Sequence, residues 1–163
     1  MNSSQNPIIE RSYAACSYSI SNQVEDSEAK EYHGASFTLN DKYIIYRKGK
    51  ETPNKMGLFV TFWKRNEKGI TVPYSENDPL DFYIITAVKE DQVGQFIIPK
   101  ATLVSKGILS TAGKDGKRGF RVYPPWAHPK SRLAQRTQDW QLKNFVAFKK
   151  ADSAQKLNAL LSK

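Results

Sequence analysis

The chain has 163 residues, of which 39% are hydrophobic and 12% aromatic, with a formal net charge of +9. That is enough apolar material for one packed core and excludes general disorder, while a sequence pI near 9.6 points to an acidic partner such as DNA, RNA or an anionic surface. The single Cys16 excludes an internal disulfide and a multi-cysteine zinc site, and His33 and His128 have no neighbour at metal-ligand spacing. No uncharged apolar run approaches a membrane span and the start MNSSQNPIIERS lacks a secretory core, so the expectation is a cytoplasmic protein without membrane contact.

Residues 1–31 read as a helical and acidic N-terminal segment. Pro7 suits a first helical turn, Ile8, Ile9, Tyr13, Cys16 and Ile20 form an irregular apolar stripe, and the polar stretch 21–31 reads as a loop or short helix. Strand-like runs follow at Ala35–Leu39, Tyr43–Arg47, Leu58–Trp63, Ile70–Pro73, Phe82–Val88 and Gln95–Ile98, with tight turns at Asn40-Asp41 and Asn66–Gly69. Ala101–Gly107 reads as one or two helical turns closed by a left-handed glycine, Phe120–Tyr123 as a strand and Ser131–Gln141 as a helix. A final helix over Ser153–Leu161 places Leu157, Leu160 and Leu161 on one face, within a C-terminal segment 151–163. This order predicts an α+β or mixed α/β single domain, with a central mixed sheet flanked by helices.

Charge comes in blocks. Residues 1–36 carry a net −3, 37–68 a net +5, 69–99 a net −4 and 137–163 a net +3. Between 100 and 136 stand Lys100, Lys106, Lys114, Lys117, Arg118, Arg121, Lys130, Arg132 and Arg136 against Asp115 alone. This stretch contains Gly116-Lys117-Arg118-Gly119-Phe120-Arg121-Val122-Tyr123-Pro124-Pro125-Trp126, where cations sit beside flat rings on a stiff backbone. Such a run can neutralise phosphates, with Tyr123, Trp126 and Trp140 as stacking platforms or as core. Gly113–Gly119 lacks Walker spacing, so a nucleotide P-loop is rejected, leaving a phosphate-gripping turn or a solvated hairpin loop. Gln135, Gln138 and Gln141 recur on one helical face and reach bases, backbone or water.

A second basic group comprises Lys48, Lys50, Lys55, Lys64 and Arg65. Lys64 shares a strand face with the apolar Val60 and Phe62 and there needs a partner, unless it snorkels to water at the strand end. Asp78 and Asp81 precede a strand, where turn capping is their ordinary role.

Taken in order, several segments resemble the MepB-like family of small bacterial proteins: Thr52-Pro53-Asn54-Lys55, Gly57 to Arg65, Asp81-Phe82-Tyr83, Gly94 to Lys100, Gly107-Ile108, and Gly116 to Trp126 with Ala134-Gln135, Thr137-Gln138 and Trp140-Gln141. The match spans about residues 32–145 as a motif-bearing core within one domain over 1–163. The resemblance implies a nuclease-like mixed sheet similar to that of PD-(D/E)XK enzymes, nucleic-acid binding, and a gene context of multidrug efflux. A nuclease of that kind needs converging carboxylates on Mg²⁺ or Mn²⁺ and a lysine. Candidates here are Asp81 as first acid and metal ligand, with Lys64, Lys100, Glu10 and Gln95, an incomplete set because Phe62 stands where an acid belongs.

The leading expectation is therefore a nucleic-acid-binding protein without cofactor. Its contact residues would be Lys50, Lys55, Lys64, Arg65, Lys117, Arg118, Arg121, Tyr123, Trp126, Arg136 and Gln138 on a basic, aromatic-lined face. The alternatives are a metal-dependent nuclease and a module that binds an acidic protein.

Overall fold

Capping and an amphipathic stripe start the chain as α1 (Pro7–Ala15): the Asn6 side chain accepts from the Ile8 and Ile9 amides, and Ile9 and Tyr13 are buried. The computed structural model describes residues 6–163. Next come the strand β1 (Ile20–Glu25), a 3-10 helix (Ser27–Tyr32), and the strands β2 (Ala35–Leu39) and β3 (Lys42–Lys48). Shorter strands follow, β4 (Leu58–Thr61), β5 (Trp63–Arg65) and β6 (Thr71–Pro73), and then the long pair β7 (Phe82–Lys89) and β8 (Gln92–Pro99). The chain ends through α2 (Lys100–Ser105), β9 (Gly119–Val122), α3 (Arg132–Leu142), β10 (Phe145–Ala147) and α4 (Ser153–Leu161).

A six-stranded sheet in the order β1-β2-β3-β7-β8-β10 forms the centre. Only β3 and β7 run parallel; the other neighbours are antiparallel, which makes the sheet mixed, as expected. Six successive residues of β7, Phe82 to Ala87, are buried, because both faces of the sheet are covered. On one face, α1 and α4 close a core around Phe37, Ile44, Ile84, Ile97 and Leu157. On the other, the β4–β9 ribbon and the helix α2 close a second core around Val60, Phe62, Tyr83, Ile85 and Leu103, with Trp140 of α3 packed against it. Together these layers make one α+β domain.

Several elements depart from the sequence expectation. Ile20 belongs to β1, not to the first helix, and residues 21–25 form an edge strand whose side chains are exposed. Its polarity hides it from a periodicity argument, and a bulge between Ser21 and Val24 breaks its alternation. The run Leu58–Trp63 splits at Phe62, which is fully buried and stacks on Tyr83 with ring centroids 4.2 Å apart. The chain changes partner there, from β9 to β6. Ile70 stays 56% exposed outside β6. β10 escapes the sequence reading because three residues carry no period. It pairs with β8 opposite Gly94, where an added Cβ would collide with the Phe145 ring and the Val146 carbonyl. Gly107 does adopt the left-handed conformation expected after α2, with φ +70°.

Beneath α1 lies a buried polar chain. The Tyr13 hydroxyl donates to Gln95 Oε1 at 2.6 Å, Gln95 Nε2 donates to Thr86 Oγ1 at 3.0 Å, and the Tyr46 hydroxyl donates to the same Thr86 oxygen at 2.6 Å. Burial pushes the Tyr46 hydroxyl up to about 12, and raises those of Tyr13, Tyr74 and Tyr83 as well. An unfolded tyrosine releases its proton near pH ~10, so the folded state holds these protons more tightly. The stabilisation they give is complete below about pH 10 and is lost as pH climbs through the folded value. Urea titrations across this range should show Tyr46 losing on the order of 2–3 kcal/mol of its contribution by about pH 12, with a shallower decline in Tyr46→Phe. A decline of the same steepness in that variant would contradict this assignment.

Candidate nucleic-acid interface

In the basic stretch from Arg47 to Arg65, four cations are neutralised from within. Arg47, on β3, is 1% exposed, and its Nη2 lies 2.9 Å from Asp26 Oδ2 while Nη1 donates to the Tyr46 carbonyl at 2.7 Å. Asp26 caps the 3-10 helix, and that helix brings two further acids onto the same surface. Glu31 pairs with Lys50 at 3.2 Å, and Glu28 pairs with Arg65 at 2.7 Å, where the guanidinium also lies 5.5 Å from the Trp63 ring centroid. Lys64 has the partner its position requires, Asp78, at 2.5 Å. The pairs at the surface stabilise little, about 0–1 kcal/mol each, yet they occupy the cations. Lys48 and the exposed Lys55 have, among the described residues, no carboxylate partner.

The nuclease candidates divide between the two layers. Lys64, Asp78 and Arg47 line a cleft of about 430 Å³ with Asp26, Tyr43 and Tyr74. At its edge Lys100 Nζ donates to the Asp78 carbonyl at 2.6 Å, and the Asp78 carboxylate also accepts from the Ser75 amide at 2.7 Å. Asp81 clamps the start of the parallel β3–β7 pair: its Oδ2 accepts from the Tyr43 amide at 2.8 Å, and its own amide donates to the Tyr43 carbonyl at 2.8 Å. Gln95 is fully buried on the opposite face against Tyr13 and Thr86, and Glu10 is exposed on α1 in that same layer. The sheet thus separates Gln95 and Glu10 from Lys64, Lys100 and Asp81. Among the described residues no group of three or more His, Cys, Asp or Glu is placed to hold a metal ion.

The basic stretch from Lys100 to Arg136 is built differently. β9 carries Arg121 opposite Phe59 of β4, with the guanidinium 5.8 Å from the Phe59 ring centroid. Its Nη1 donates to the Met56 carbonyl at 3.2 Å and its Nη2 to Thr52 Oγ1, which ties the Thr52–Gly57 loop to the ribbon. From α3, Gln141 Nε2 donates to the Arg121 carbonyl at 2.9 Å and Gln141 Oε1 accepts from the Tyr123 amide at 2.8 Å. Gln138 Nε2 reaches the carbonyls of Ala127 (2.8 Å), Pro124 (3.0 Å) and Tyr123 (3.3 Å), and Gln135 reaches that of Pro129 at 3.0 Å. The three glutamines therefore bind this chain's own backbone and fix the segment from Arg121 to Lys130 against α3, with Gln141 buried, Gln138 half-buried and Gln135 still exposed.

Between β9, α3 and the end of α2 runs a groove of about 450 Å³, lined by Lys106, Lys117, Arg121, Tyr123, Leu133 and Trp140 among others, with no carboxylate in its wall. Lys106 Nζ sits 5.6 Å from the Trp140 ring centroid. Lys117, Arg118 and Arg136 are exposed, and Arg118 Nη2 reaches the Thr71 carbonyl at 3.4 Å. Trp126 is half-buried against Phe145 and faces a separate small cleft with Lys55 and Lys89. Among the described residues, none of the nine cations from Lys100 to Arg136 forms an ion pair. Sequence reasoning counted Lys106 without assigning it a role and passed over Leu133; the Leu133, Thr137, Trp140 spacing was the signal that could have found them.

A family model described as MepB-like matches residues 26–147. Among solved structures, a crystal structure of MepB is 34% identical, with a TM-score of 0.79, over 89% of this chain and 98% of that one. A bacterial homing endonuclease, I-Ssp6803I, aligns over 83% of this chain and 85% of its own at 12% identity and a TM-score of 0.42, a likeness too slight to argue from. None of the curated proteins matches.

The glutamine contacts carry a consequence for stability. Gln138→Leu strips the donor from three carbonyls, and chemical denaturation should show a loss of about 1–3 kcal/mol with faster amide exchange over residues 123–130. Wild-type stability and exchange would show that water replaces the side chain without cost.

Proposed function

The chain belongs to the MepB-like family, and we propose that it binds nucleic acid, DNA or RNA, by neutralising phosphates along the basic face between β9 and α3. The observation that carries this reading is the unequal pairing of charge. Arg47, Lys50, Lys64 and Arg65 have carboxylate partners, while the cations from Lys100 to Arg136 have none among the described residues. Uncompensated charge of one sign sets the local field, and clustered on one face it draws a polyanion before contact. The proposal places the protein in the cytoplasm, where nucleic acid is available to it.

Of the residues expected to contact nucleic acid, Lys117, Arg118, Arg136 and Lys55 keep that role. Arg121, Tyr123 and Gln138 shape the face, and Lys50, Lys64 and Arg65 are held by internal acids. The reading stops at binding, because Gln95 and Glu10 lie across the sheet from Lys64 and Asp78 and assemble no acid pair with them.

Phosphate contacts release counterions, so affinity should fall steeply between roughly 50 and 200 mM salt. Lys117→Ala and Arg118→Ala should each lower the salt slope by about one and weaken binding on all sequences alike. Lys50→Ala, which removes an already compensated charge, should change affinity less than about two-fold. Gel shifts or anisotropy across a salt series measure all three. Binding indifferent to salt, or lost most in Lys50→Ala, would overturn the proposal. So would capture of an acidic polypeptide such as polyglutamate in preference to nucleic acid.

A further inference from the structure

Helix α3 buries an amide and exposes a large aliphatic, while Trp140 and Leu142 pack against the second core. The residue it buries is Gln141, and the half-buried Gln138 turns inward on backbone carbonyls, whereas Leu133 is 70% exposed. A surface helix ordinarily does the reverse, and a buried amide beside an exposed large aliphatic is the informative deviation. Leu133, Thr137 and Trp140 recur at i, i+4 and i+7, and all three line the groove, Trp140 with its other side packed against the second core. The apolar stripe of α3 thus faces a concave space of about 450 Å³, whose other wall supplies Lys106 and Lys117.

From this arrangement we infer that the groove takes single-stranded nucleic acid, its phosphates meeting Lys106 and Lys117 and its bases lying against Leu133 and Trp140. The inference rests on the nucleic-acid reading above and narrows its substrate. A positively charged groove with aromatic and aliphatic walls is the recurring arrangement for single strands, because every base has an apolar face to offer. In a duplex those faces are stacked on one another and out of reach, so only phosphates and groove edges would meet the protein. A flat anionic membrane fills no concave groove. An acidic peptide would satisfy the lysines yet present no planar rings to the stripe. The volume falls within the range that encloses small planar ligands, which fits one or a few nucleotides rather than a helix.

The test compares a labelled oligothymidylate with a duplex of equal length by fluorescence anisotropy, at one salt concentration, using the full chain. The single strand should bind about ten-fold more tightly, and Leu133→Ser should lower its affinity about five-fold, the loss expected for one base contact. Leu133 is exposed, so that variant should keep the wild-type thermal melt. Trp140→Phe should keep a ring in the groove and the single-strand preference, while losing part of the fluorescence quench seen on binding. Equal or tighter duplex binding, or an unchanged single-strand affinity in folded Leu133→Ser, would overturn the inference and leave the phosphate reading standing. Failure of both nucleic acids to bind at low salt would overturn both, as would binding only to anionic vesicles.

Discussion

Arg47 is the largest side chain that the fold buries completely, and the distribution of charge over the molecule follows from the need to satisfy it. A guanidinium taken out of water costs several kcal/mol unless an acid and hydrogen-bond acceptors surround it. Asp26 supplies the acid and the Tyr46 carbonyl a second acceptor, so the segment from Asp26 to Tyr32 must lie over the end of β3. Gly34, just after that segment, has no room for a side chain: a Cβ would press on Ala29 and approach the Arg47 guanidinium. Once the segment is pinned there, Glu28 and Glu31 fall within reach of Arg65 and Lys50. Three acids of the N-terminal block are thereby taken up by Arg47, Lys50 and Arg65, and the cations from Lys100 onward are left to set the outward field.

The second basic face depends on a different device. A segment rich in proline, Tyr123 to Lys130, has few amides free to make regular structure. Its carbonyls are instead gathered by Gln135 and Gln138, Gln141 holds the Tyr123 amide and the Arg121 carbonyl, and β9 is anchored below by Arg121 on the Thr52–Gly57 loop. Gln138 and Gln141 thus share the inward work of α3 with Trp140 and Leu142, while Leu133 is left outward on the wall of a groove. Position, more than residue identity, separates the cations that shape this surface from those that present charge on it.

Much of the sheet was legible because its strands are buried on both faces or alternate cleanly. Ala35–Leu39 shows the pattern of a half-buried strand, and Phe82–Val88 that of a central one. β1 was illegible because an exposed edge strand needs no apolar residues, and β10 because three residues cannot display a period. The break at Phe62 was hidden for a tertiary reason, since only the stacking on Tyr83 shows why the chain turns inward there. Lys64 was correctly marked as a lysine that needs a partner, while the identity of that partner, fourteen residues away at Asp78, could not be read from spacing. Gln95 was placed among catalytic candidates by sequence proximity to Lys100, yet pleat alternation sends its side chain to the far face of the sheet. The block structure of charge was visible in the sequence; which blocks cancel each other required the fold.

The central claim is that internal acids occupy Lys50, Lys64 and Arg65 and leave the groove beside α3 as the main surface that meets a polyanion. Lysine acetylation rates, read residue by residue by mass spectrometry with and without a bound oligonucleotide, test it most directly. The account predicts slowed modification at Lys106 and Lys117, with Lys50 and Lys64 unchanged. Protection at Lys50 and Lys64 while the groove lysines react as before would contradict it.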